Sequence, residues 1–205
     1  MELNSVNKLK IAITGNIGSG KSTVCKIFEI LKIPVYCSDI RAMVLSHIKP
    51  EIISVYKQIF GDDVYSYGFL DRKKVSETLF KQKELLKKVE DVVHPAIIED
   101  FEYWCEEIDS PIVLFESALL FEKDIYKFFD KNILVTAPEN IRINRVMKRD
   151  NLSEQDVIYR IDNQWSEEKK IPLSNYIIIN DDTTAVIPQV LELYKKFTEL
   201  QNIIL

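Results

Sequence analysis

Apolar residues along this chain follow two rhythms, short unbroken runs and stripes spaced at three and four, and these predict strands and helices in turn. The run Ile11, Ala12, Ile13 reads as a first strand, and Val24, Ile27, Phe28 and Leu31 mark one face of a helix after it. Ile33 to Cys37, opened by Pro34, reads as a second short strand leading into Ser38 and Asp39. No convincing strand is expected between residues 40 and 110. Three helical stripes stand there instead: Ile52, Val55, Tyr56 and Ile59, stopped by Gly61; Leu85, Val89, Val92 and Val93; and Ile97, Phe101, Trp104, Cys105 and Ile108. Gly61 to Leu70 reads as a loop, with Asp71 capping the next helix.

Strands resume at Ile112 to Phe115, closed by Glu116, and again at Asn132 to Val135. Thr136, Ala137, Pro138 and Glu139 then read as a helix start capped by Thr136. Tyr176 to Ile179 is a last strand, and Val186, Val190, Leu193, Tyr194, Phe197 and Leu200 mark a closing amphipathic helix. Strands alternating with helices predict an α/β fold around a parallel sheet, interrupted by a helical insertion. Neither an internal repeat nor a low-complexity tract is present.

Between the first strand and its helix stand Gly15, Asn16, Ile17, Gly18, Ser19, Gly20, Lys21, Ser22 and Thr23, the complete phosphate-loop pattern G-x-x-x-x-G-K-[ST]. Glycines let the backbone bring its N–H groups against phosphate oxygens, and the following helix adds its positive end. Lys21 would supply a point charge to the β and γ phosphates, and the Ser22 hydroxyl would ligate Mg²⁺. A turn that merely joins strand to helix needs neither residue at those offsets, so a nucleoside triphosphate is the expected ligand. Two carboxylates end neighbouring strands. Asp39 points to the crevice where open α/β sheets bind ligands, although a cap for a helix starting at Ile40 is an equally good reading of its position. Glu116 closes its strand as in a Walker B element.

The helix after Pro138 carries Arg142, Arg145, Lys148 and Arg149. Such a run is either a solvated face or a mobile lid whose arginines close over the triphosphate. The 205 residues, 46% apolar, suffice for a nucleotide-binding domain with insertions and a sizeable core. A formal charge of −5 gives no overall basic field, so nucleic acid is not an expected partner. Cys25, Cys37 and Cys105 form no C-x-x-C pair, which fits a reducing compartment. With no apolar run of about 18 residues and no cleavable leader pattern, no membrane association is expected, and the expected location is cytoplasmic. His47 and His94 have no partners at zinc spacing, leaving Mg²⁺ with the nucleotide as the metal implied.

A switch GTPase should carry D-x-x-G for the γ-phosphate switch and N-K-x-D for guanine, and neither string occurs in the sequence. A small-molecule kinase with an inserted acceptor region and a lid fits better. At this level the chain resembles the dephospho-coenzyme A kinase family from end to end. The family's T-G-G-I-G-S-G-K-S-T stands at Thr14 to Thr23 with Asn16 for Gly, and its A-D after the second strand is Ser38, Asp39. G-x-L-D-R and H-P-x-I match Gly68 to Arg72 and His94 to Ile97. D-x-P-L-L-[FY]-E is similar to Glu116 to Glu122, with Glu116 for Asp and Ala118 for Pro. R-x-x-x-R-D followed by R-x-x-x-Q matches Arg145, Arg149, Asp150, Arg160 and Gln164.

The resemblance implies a phosphate-loop three-layer sandwich with a parallel sheet. It implies a nucleotide-binding core of residues 1–39, 111–141 and 171–205, a helical acceptor region at 40–110 and a helical lid at 142–170. The implied reaction moves the ATP γ-phosphoryl group to the 3′-hydroxyl of dephospho-coenzyme A, the last step of coenzyme A synthesis. Lys21, Asp39 and Arg149 are implied as catalytic, Asp39 taking or orienting the hydroxyl proton. Gly15 to Thr23, Arg145 and Arg149 would bind ATP, and Asp39, His94 and Arg160 would bind the acceptor; Tyr65, Tyr67 and Phe69 would either offer it apolar or stacking surface or equally anchor their own loop. A shikimate or nucleoside monophosphate kinase is the alternative enzyme, and a nucleotide-dependent binding protein the alternative of another class.

Overall fold

A computed structural model of the protein describes residues 8–79 and 82–204. In chain order the elements begin with β1 (Leu9–Thr14), α1 (Lys21–Ile30), β2 (Val35–Cys37), α2 (Ser38–Ile48) and α3 (Pro50–Phe60). A hairpin of β3 (Tyr65–Ser66) and β4 (Phe69–Leu70) precedes α4 (Arg72–Leu79) and α5 (Lys83–Glu107). Then come β5 (Ile112–Glu116), β6 (Lys131–Thr136), α6 (Glu139–Asp150), α7 (Glu154–Asp162), α8 (Glu167–Lys170), β7 (Tyr176–Ile179) and α9 (Val186–Ile204). The chain divides into two compact units, one of residues through Tyr36 and from Asp109 onward, the other Cys37–Ile108.

The first unit is an α/β fold on a five-stranded sheet in the order β2-β5-β1-β6-β7. β1 pairs in parallel with both β5 and β6, and β6 in parallel with β7. The register sets Ile13 opposite Glu116 and opposite Ile133, and Thr136 opposite Ile179, so the carboxyl ends of these strands share one edge. β1 lies in the middle of the sheet, and the phosphate loop therefore leaves that edge centrally, where open α/β sheets hold ligands. β1, β5 and β6 are near-continuous apolar runs because both faces of a parallel sheet are covered. Ile11, Ile13, Ile133 and Val135 bury one face against Val24 and Phe28 of α1 and Val190 and Phe197 of α9. Phe197 stacks on Phe28 with ring centroids 6.2 Å apart. On the opposite face Phe115 stacks on Tyr36 at 5.4 Å.

The second unit is helical, with a small core of Phe60, Val64, Val75 and Val89. Arg41 of α2 is held to Asp100 of α5 by hydrogen bonds of 2.6 and 2.7 Å. Tyr65 donates its hydroxyl to the Ser46 carbonyl, and burial pushes its pKa up to about 12.

Several local expectations are corrected. The stripes at 85–93 and 97–108 belong to one helix, α5, which runs through Pro95 for 25 residues. Proline removes one backbone N–H and crowds the preceding turn, but buried Val89 on one side and Ala96, Ile97, Phe101 and Cys105 on the other outweigh that local cost. The stretch read as a loop contains the antiparallel hairpin Tyr65↔Leu70, Ser66↔Phe69. Tyr67 and Gly68, at φ 51° and 83°, are both left-handed, as its two-residue turn requires. Thr136 does not cap a helix. It completes β6 opposite Ile179, its carbonyl accepts the Asn180 N–H at 2.9 Å, and Pro138 takes the N-cap position. Asp71 does cap α4, its Oδ1 accepting the Lys74 N–H at 3.0 Å.

Candidate active site

The phosphate loop is shaped by bonds within itself and by what packs on it. Asn16 O accepts the Ser19 N–H at 3.0 Å, and Gly20 O accepts the N–H groups of Thr23 and Val24 as α1 begins. Gly18, at φ 80°, lies so close to α6 that a Cβ there would stand 2.6 Å from the Arg142 carbonyl oxygen. Only glycine accommodates both the left-handed backbone and that contact.

Lys21 folds back over the loop. Its Nζ donates to Gly15 O at 2.9 Å and lies 3.9 Å from Glu116 Oε1, both side chains being largely buried. The strand register explains the meeting: Glu116 ends β5 beside Ile13, just before the loop, and the Ser117 N–H donates to Ile13 O at 3.0 Å. Ser22 is exposed in the first turn of α1. Among the described residues no three His, Cys, Asp or Glu side chains cluster as metal ligands. Ser22 and Glu116 are hard oxygen donors of the kind Mg²⁺ uses sparingly, since it keeps waters and takes the rest of its shell from phosphates.

The basic run on α6 has no single environment. Arg142 is buried, its Nε donating to Ala137 O at 3.0 Å and lying 3.7 Å from Glu167. Burial raises the Glu167 pKa above the ordinary carboxylate value, with Arg142 pulling the other way. Arg145 reaches the loop, donating to Gly18 O at 3.2 Å and Asn180 O at 3.0 Å, with Asp182 as its ion-pair partner. Asn180 in turn donates to Ser19 O at 2.8 Å. Arg149 instead pairs with Asp150 through bonds of 2.7 and 2.9 Å, and Arg160 approaches the same carboxylate at 3.4 Å. The Arg149 hydrogen bonds hold Asp150 below its ordinary value, helped by the charges of Arg149 and Arg160. These exposed pairs add little stability, which leaves both arginines available to a ligand at small cost.

The segment read as a lid, 142–170, is anchored at both ends. Arg142 packs on Gly18, and Gln164 Oε1 accepts the Ile17 N–H at 2.8 Å. The loop, Glu116 and Arg145 are thus brought together. Arg149 and Arg160 meet each other on Asp150, and Asp39 and His94 belong to the second unit. His94 lies within α5 rather than at the end of a helix. Asp39 is exposed in the first turn of α2, which starts at Ser38 with Cys37 as N-cap, so the capping role is not observed. The Asp39 carboxylate can still favour the helix dipole from that turn. Sequence reasoning passed over Asn180 and Asp182. Their place at the carboxyl end of the strand beside β6 is the signal that could have found them.

The profile of the dephospho-CoA kinase family matches residues 9–185. The dephospho-CoA kinase of Bacteroides fragilis is 35% identical over 186 residues, covering 90% of this chain and 91% of the relative. That of Coxiella burnetii is 33% identical over 198 residues, covering 94% and 98%. Among solved structures, a Thermus thermophilus protein of 32% identity superposes with a TM-score of 0.83 over 93% of this chain and 97% of its own. A Campylobacter jejuni dephospho-CoA kinase of 25% identity gives 0.66 over the same shares. A shikimate kinase from Acinetobacter baumannii, 13% identical with a TM-score of 0.53, shares the fold.

Proposed function

The chain belongs to the dephospho-CoA kinase family, and on that premise we propose that it transfers the ATP γ-phosphoryl group to the 3′-hydroxyl of dephospho-coenzyme A, giving coenzyme A and ADP. The observation that carries this reading is the phosphate loop at the centre of the sheet edge, with Lys21 over Gly15 and beside Glu116 and with Arg145 bracing Gly18. Phosphoryl transfer asks for positioning and charge stabilisation more than for covalent chemistry from the protein.

The loop N–H groups and the start of α1 would hold the phosphates, and Lys21 would move from Gly15 O to a phosphate oxygen. Arg145 would stay with the nucleotide, while Arg149 and Arg160 would leave Asp150 to meet the transferred phosphoryl group and the acceptor. Asp39 would take or orient the acceptor hydroxyl proton, and His94 would line the acceptor side. Ser22 and Glu116 would hold Mg²⁺. Held there, Mg²⁺ would supply neutralisation of phosphate charge. Residues 40–110 would form the acceptor region and 142–170 the lid.

No described helix is long and apolar enough to cross a membrane. Cys25, Cys37 and Cys105 form no C-x-x-C pair, which together with the use of ATP supports a cytoplasmic place.

A coupled ADP-release assay with dephospho-coenzyme A, shikimate and nucleoside monophosphates tests the reading. Turnover with dephospho-coenzyme A alone is expected, and turnover only with another acceptor overturns it. Because the base of α6 already packs on the loop, lid closure is expected to raise protection from hydrogen exchange mainly at residues 149–160 when both substrates are present. Equal protection with and without them would make these arginines a fixed surface.

A further inference from the structure

Asn16 and Ile17 are two of the four phosphate-loop positions whose residue types the motif leaves open, and both are tied to the connection between α7 and α8. Gln164 Oε1 accepts the Ile17 N–H at 2.8 Å, and Asn16 Nδ2 donates to Trp165 O at 3.1 Å. The Ile17 side chain packs into the apolar cluster of Val146, Val157 and Ile161. Backbone and side chain of the loop are therefore held by one segment.

That segment is itself clamped. Gln164 N donates to Ile161 O at 2.9 Å at the end of α7. Trp165 N donates to Glu122 Oε1 at 2.9 Å, and the same oxygen lies 2.8 Å from Nζ of Lys170, a side chain fully out of solvent. Burial pushes the Lys170 pKa below the ordinary lysine value against the pull of Glu122, and Lys21 adds to the lowering. An ion pair in such a place is weak evidence for stability, because taking two charges from water offsets their attraction. What the pair does is fix where residues 164–170 stand.

We infer that Gln164 is a positioning residue for the nucleotide. It takes the Ile17 N–H and, with Asn16 on Trp165, holds the loop turn in the shape the phosphates require, braced by Glu122 and Lys170. A loop that enters binding already shaped loses less freedom when phosphate arrives. The inference rests on the nucleotide-binding reading above, and it adds a residue that acts through the loop rather than on the substrate.

The test measures ADP affinity by calorimetry for the wild type, Gln164→Met and Gln164→Glu, with thermal melts and steady-state kinetics alongside. Met keeps the length and removes the acceptor oxygen, and Glu keeps an oxygen at the same reach. Gln164→Met is expected to weaken ADP about tenfold and to raise KM for ATP in step, while KM for dephospho-coenzyme A stays unchanged. Gln164→Glu should bind ADP more tightly than Gln164→Met. A purely structural role would lower the melting temperature without separating the two KM values.

The inference is overturned if Gln164→Met binds ADP within about twofold of wild type, or if Gln164→Glu is as weak as Gln164→Met. Should Gln164→Met fold poorly, Asn16→Ala removes the tie to Trp165 while leaving α7 and α8 intact, and it should weaken ADP severalfold. Unchanged ADP affinity in that variant overturns the inference too. A wild type that binds ADP but does not turn over dephospho-coenzyme A would refute the proposed reaction, and the ADP comparison would still decide the role of Gln164.

Discussion

Asp39→Asn is expected to lower turnover by roughly 10² to 10⁴, the usual contribution of a positioned acid or base, with ATP affinity and thermal stability nearly unchanged. Structure sharpens this test. Asp39 is exposed in the first turn of α2, and Cys37, not Asp39, occupies the N-cap. Loss of its charge removes at most a favourable helix-dipole contact of about 0.3–1 kcal/mol, far less than the catalytic loss. Asn keeps the size but cannot take up the hydroxyl proton. If the purified variant retains more than about a tenth of wild-type turnover, outside that range, Asp39 is not the general base. Glu116 would then be the next carboxylate to replace.

Lys21→Ala should cost about 3 to 4 kcal/mol of transition-state stabilisation, by analogy with removing one oxyanion donor. The side chain touches Gly15 O and neighbours Glu116, and it belongs to no apolar cluster, so the sheet and its helices should persist. Circular dichroism and a melt would show a folded variant, with a loss of ~1–3 kcal/mol or less from the partners left behind. Single-turnover rates at a temperature where both proteins are folded isolate the chemical step. Near wild-type rates would remove Lys21 from the reaction.

Much of the fold was legible because local pattern and tertiary role agree. The apolar runs around Ile11, Ile112, Ile133 and Tyr176 became strands because each is flanked by turn signals and too short for a helix. The limits of legibility came where a local preference met a stronger non-local one. Thr136 prefers a cap but pairs with Ile179, because one more ladder position continues the parallel sheet. Pro95 disfavours helix, yet α5 carries through it because apolar residues on both sides are buried. Ser38 and Asp39 read as a helix start, and α2 begins two residues earlier than a capping Asp39 would require.

The chemistry of the loop belonged to the sequence itself. Gly15 to Thr23 are contiguous, so their backbone turn, lysine and hydroxyl stay together whatever the rest of the chain does. The same is true of the strand before them and the helix after them. Tertiary structure alone decided which arginine serves the loop. Arg142, Arg145 and Arg149 lie three and four residues apart and share a stripe of α6, so spacing does not distinguish them. A helix rises about 1.5 Å per residue, and Arg149 therefore stands about 10 Å farther along the axis than Arg142. Arg142 is buried where α6 meets Gly18, Arg145 reaches Gly18 O and Asn180, and Arg149 is left at the far end with Asp150. Gly18 and Asn180 are brought to Arg145 only by the pairing of β1, β6 and β7, whose registers join Ile13 to Ile133 and Thr136 to Ile179.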